Sequence, residues 1–180
     1  MVHNRIGRRE SDAAISRIYQ RFDVGAYPTN LSILQNRVRG RDLVQTLAGD
    51  GVGVLEALPR ARARARGRWA FETYPHVGLV ELFGLDRIVK YKHGPVSRRR
   101  AGQTELASLL RRHAPRLEPP LRLNAHLSRL LQTPSAELHG RALQGRKDEL
   151  DAVVCAYLAA HLWAWGPSRQ GLLDKPSTAL

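Results

Sequence analysis

One convincing strand lies in a sequence that otherwise reads as helices, and that strand sets the strongest condition on the fold. Trp69–Tyr74 (WAFETY) is rich in aromatic residues and is bounded by Pro75. A strand cannot stand alone, because its backbone N–H and C=O groups need partners on at least one side. The other candidates, Val52–Leu55 and Leu172–Leu173, are weak. The expectation is an α/β chain, mostly helical, with few strands of its own.

Helical spacing surrounds the strand. Between Arg9 and Phe22, the residues Ala13, Ile15, Ile18, Tyr19 and Phe22 recur at roughly helical intervals. Tyr27–Asn30 is a break in which Thr29 or Asn30 can cap a helix over Leu31–Leu47. The glycines from Gly49 to Gly53 stop that pattern, and no Gly-Lys-Ser/Thr follows to make a phosphate-binding loop. Pro75 opens a helix through Phe83, with Gly84 as its stop. A basic helix is expected from Val96 to His113, with a thin apolar side of Leu106, Leu109 and Leu110. A short amphipathic helix over Leu121–Leu131 follows the prolines, and a last helix runs from Asp148 to Trp165.

Pro59–Arg68 alternates arginine with alanine and glycine. On a strand that period would line guanidinium groups along one face, suited to a phosphate backbone. As a solvated linker, the reading favoured here, it is a charged, extended connection. The expected organisation is one partial domain over 1–167, with this linker at 59–68 inside it, and a loose polar tail over 168–180.

A chain of 180 residues has room for about one domain. Its 29 Lys+Arg against 16 Asp+Glu give a formal charge of +13, which favours polyanionic partners, nucleic acid above all. Arginine far outnumbers lysine, a bias that GC-rich coding also produces. A single cysteine, Cys155, excludes an internal disulfide framework and a multi-cysteine zinc ribbon. The N-terminus has no apolar signal region. The longest apolar run, Ala152–Trp165, contains a histidine and is too short for a membrane span. The expectation is a cytoplasmic protein without membrane association; its oligomeric state is left open.

The histidines show no zinc-ligand spacing, there is no Gly-x-Ser-x-Gly elbow, and a lone cysteine in an apolar helix is more often packing than nucleophile. The carboxylates carry more. Glu72 stands near the C-terminal end of the strand, where ligands gather in open α/β sheets. Asp148 and Asp151, three apart, share one side of the last helix. Glu72 with Asp148 and Asp151 could hold Mg²⁺ through oxygen ligands and so support phosphodiester cleavage. A blander alternative is that Asp148 is the helix N-cap and Asp151 a first-turn carboxylate answering the helix dipole.

Three segments carry a resemblance: FETYPHVGLVELFGL, then YKH with SRRRAGQTELASLL, and finally DELDAVVCAYLAAHLWAWG. They resemble the family called domain of unknown function 429, regarded as nucleases of the ribonuclease H-like superfamily. Its Glu-x-x-Pro turn matches Glu72 and Pro75, its Tyr-Lys pair Tyr91 and Lys92, and its arginine before a Leu-rich helix falls among Arg98, Arg99 and Arg100. The Asp-Ala that opens its final helix matches Asp151-Ala152, and its Arg-x-x-Asp segment matches Arg9 and Asp12. The likeness spans roughly Arg8 to Gly166.

The family normally also has a first strand with Gly-x-Asp and a later strand with Asp-x-Pro, and neither motif occurs here. The resemblance therefore implies a ribonuclease H-like domain lacking its N-terminal strands. It implies a Mg²⁺-dependent nuclease with Glu72 and Asp151 as catalytic ligands and Asp148 in support. Lys92 and Arg98–Arg100 would then hold nucleic-acid phosphates. Since the first-strand aspartate is missing, the competing expectations are a basic fragment that binds nucleic acid without cutting it, or an uncharacterised truncated protein.

Overall fold

The computed structural model describes residues 4–35, 39–55 and 67–166. In chain order these form α1 (Glu10–Tyr19), α2 (Arg39–Gly49), β1 (Val52–Leu55), β2 (Arg68–Phe71), α3 (Pro75–Phe83), α4 (Val96–Arg112), α5 (Ala125–Gln132) and α6 (Gly140–Trp165). The architecture is α/β and mostly helical. The strand's partner is β1: the two strands pair in parallel, with Val52 opposite Arg68 and Gly53 opposite Trp69. The weak Val52–Leu55 candidate thus supplies the hydrogen bonds that β2 requires. Leu172–Leu173, the tail over 168–180 and most of the Arg/Ala linker lie outside the described residues; Arg68, assigned to that linker, opens β2 instead.

The core is a helical assembly rather than a sheet sandwich. On α6, Leu150, Val154 and Leu158 are buried at four-residue intervals. They face α3 and α4, where Leu79, Leu106, Ala107 and Leu110 complete one apolar cluster with Val89, Tyr91, Ala114 and Leu131. The thin apolar side of α4 suffices because Gly102 and Gln103 are buried with it. A second cluster joins Val77 and Val80 to Tyr19 and Val24, so α3 packs on both sides and ties α1 to the bundle. Pro75 begins α3 and Gly84, at φ 58°, ends it, as the sequence implies.

Three boundaries differ from expectation. Residues 31–35 form a turn and not the start of the expected Leu31–Leu47 helix, because Asn30 fixes that turn: its Oδ1 accepts from Ile33 N at 2.9 Å and its Nδ2 donates to Gly7 O at 2.8 Å. β2 stops at Phe71, which leaves Glu72 in the connection between β2 and α3. α6 begins at Gly140, so Asp148 lies inside the helix and is not its N-cap, and Asp151 is not in its first turn. Among the described residues, no helix is long and apolar enough to cross a membrane.

Candidate functional site

Two knots of charge each hold a carboxylate expected from the sequence, Glu72 just past β2 in one and Asp151 on α6 in the other. The first centres on Arg9, just ahead of α1. Its guanidinium grips Asp12 in a fork, with Nε donating to Oδ2 at 2.9 Å and Nη2 to Oδ1 at 2.8 Å. Its remaining nitrogen, Nη1, donates to both oxygens of Glu72 at 2.8 and 2.9 Å. Asp12 is buried while Glu72 is exposed, so Arg9 bridges the core to the surface. The hydrogen bond to Asp12, helped by Glu72, holds the guanidinium proton more tightly than usual despite partial burial.

The second knot centres on Asp151 in α6. Tyr91, fully buried, donates its hydroxyl to Asp151 Oδ1 at 2.5 Å. Lys92 Nζ lies 3.0 Å from the same oxygen, and Lys147, one helical turn back, lies 4.0 Å from Oδ2. Lys147 also pairs with Asp148, and that contact draws the Asp148 carboxyl below its ordinary range. Burial, followed by the bond to Asp151, pushes the Tyr91 phenol far above its ordinary value. Burial, then Asp151, also raises the Cys155 thiol, which makes a poor thiolate nucleophile.

Three rings join the knots. Tyr74 feels the charge of Asp12, and its ring stands 6.0 Å from His76; His76 in turn stands 5.2 Å from Tyr91. His76 is buried, its Nδ1 has no hydrogen-bond partner, and burial followed by Lys92 lowers its imidazole to about 4. His76, Tyr74 and Lys147 were not singled out in the sequence. Lys147 had a legible signal, since it stands four residues before Asp151 on one helix face. His76 had none, because only packing against Tyr91 marks it.

The structure thus brings Arg9, Asp12 and Glu72 together, and separately Tyr91, Lys92, Asp148 and Asp151. The three expected Mg²⁺ ligands do not form a ligand set as they stand. Glu72 is held by Arg9, Asp148 by Lys147 and Asp151 by Tyr91 and Lys92. Among the described residues, no three His, Cys, Asp or Glu side chains group so as to hold a metal. Lys92, expected on phosphate, is engaged with Asp151. Arg100 is pinned to Leu138 O at 2.9 Å and reaches the His139 ring. Arg99 is half-buried, and Arg98 is exposed at the start of α4. Pro75 is buried at the first position of α3.

No curated protein and no solved structure matches this chain. The sequence profile described as protein of unknown function (DUF429) matches residues 1–176. That match spans nearly the whole chain, and the chain belongs to that family.

Proposed function

We propose that this protein binds nucleic acid through its exposed arginines. One observation carries the reading: among the described residues, ion pairs engage only Arg9, Lys90, Lys92 and Lys147. Arg98 and Arg111 on α4, Arg116 beyond it, Arg122 and Arg129 around α5, and Arg141 at the start of α6 are exposed without a carboxylate partner. A polyanion is the partner that neutralises such an array, and the counterions it releases make the affinity fall with salt. Titration of a labelled oligonucleotide at low and physiological ionic strength tests this. Steep loss of affinity with salt, equal with and without Mg²⁺, is expected. Replacing Arg111 and Arg116 by Gln should weaken binding to every sequence alike. Binding indifferent to salt would overturn the proposal.

A second reading, phosphodiester cleavage by a ribonuclease H-like nuclease, is favoured by the position of Glu72 just past the C-terminal end of β2. That is the position where parallel sheets collect ligands. Incubating the protein with single- and double-stranded substrates, with and without Mg²⁺, separates it from binding alone. Cleavage that needs the ion and is lost in Asp151→Asn, with salt-dependent binding retained, would establish it.

A further inference from the structure

The small sheet holds one aromatic ring open to solvent. Gly53 and Trp69 are register partners, and the indole lies across the glycine: a Cβ on Gly53 would stand 2.4 Å from Trp69 Cζ3 and 2.6 Å from Cε3. Gly67, at φ +135°, borders the ring's other side, where an added Cβ would stand 3.3 Å from Nε1. Two glycines thus make room for the ring against the backbone. Trp69 still keeps 44% of its surface exposed and belongs to neither apolar cluster. Leaving so large an apolar ring uncovered forfeits burial free energy, which an occupant of that surface would recover.

The surroundings identify the chemistry of the occupant. Arg68, the residue before Trp69 on β2, is exposed and donates from Nη1 to Asp50 O at 3.2 Å. A flat apolar ring beside the Arg68 guanidinium suits a nucleotide, which offers a π-face and a phosphate together. A second copy of the chain suits it poorly, because two molecules of charge +13 repel. Resting on the nucleic-acid reading, we infer that Trp69 is a stacking platform for a base of single-stranded nucleic acid, with Arg68 contacting the adjoining phosphate. A duplex keeps its base faces stacked on one another, so the platform distinguishes single from double strands.

The test is fluorescence anisotropy of the whole chain with a labelled oligothymidylate and, separately, a labelled duplex. Trp69→Ala should lower oligothymidylate affinity by roughly 5- to 150-fold, the loss of one stacked base, and leave duplex binding unchanged. Trp69→Phe, which keeps a ring, should restore most of it. Gly53→Ala, whose Cβ takes the ring's place, should reproduce the loss. If Trp69→Ala binds oligothymidylate as tightly as the parent while binding stays steep in salt, the platform is overturned and the nucleic-acid reading stands. If the parent binds neither probe, both fall. If Trp69→Ala instead abolishes a concentration-dependent dimer seen by sedimentation and spares oligothymidylate affinity, the face joins copies and the inference is overturned.

Discussion

His76 is the residue whose environment differs most from what its neighbours in sequence suggest. It faces Tyr91 and Tyr74 and lies within the fields of Lys92, His93 and Asp151, and its imidazole falls to about 4 chiefly through burial. The unfolded chain takes up that proton near pH 6.5, so between about 6.5 and 4 the unfolded state binds more protons. Stability therefore declines as pH falls through that window and levels off below it, by on the order of 3 kcal/mol in full. His76→Phe keeps a packed ring and removes the titration, so its melting temperature should fall less between neutral pH and about pH 4. An unchanged slope would assign the acid limb to other groups. At Tyr91, the hydroxyl on Asp151 is the bond at stake. Tyr91→Phe should cost about 1.5–3 kcal/mol in urea unfolding, because it removes a buried bond to a charged acceptor. Asp151 and Tyr91 were legible as motif residues. Their bonding was not, since it joins a loop to a helix 60 residues away.

Among the helices, two glycines make opposite predictions. A Cβ on Gly102 in α4 would come 2.4 Å from Lys90 O and 2.8 Å from Tyr91 N, both backbone atoms that cannot swing aside. Gly102→Ala should therefore destabilise by about 1–3 kcal/mol, outweighing the roughly 1 kcal/mol that alanine gains in helix propensity. Gly145 in α6 has nothing within 4 Å, so Gly145→Ala should stabilise by up to about 1 kcal/mol. Paired urea melts of the two variants check both signs. The contrast also shows what pattern reading reaches. Helix identity along α3, α4 and α6 was legible because apolar spacing and the Pro75 and Gly84 signals are local. The start of α6 was not, because Gly140–Lys147 carries few apolar residues and becomes helical by burying Leu143 and Arg146. Arg146 holds Leu130 O and Thr133 O at the end of α5, a tertiary contact that no local pattern announces.

At the scale of the whole molecule, one charge governs two observables in opposite directions. A chain of +13 repels itself, so added salt should raise the melting temperature while it weakens nucleic-acid binding. Calorimetry alongside oligonucleotide titration over the same salt series checks this; a melting temperature that falls with salt would show that attractive pairs such as Lys90–Asp23 and Arg9–Glu72 dominate instead. The sequence by itself determined the mostly helical α/β character, the strand-to-helix turn at Pro75, the basic charge and the family, because composition, periodicity and short motifs are properties of neighbouring residues. The tertiary structure alone decided that β1 is the strand's partner, that Arg9 closes on Glu72, that Tyr91 and Lys92 close on Asp151, and that Gly53 makes room for Trp69. Each of these joins residues far apart in the chain, and their pairing follows from which groups folding brings out of water together.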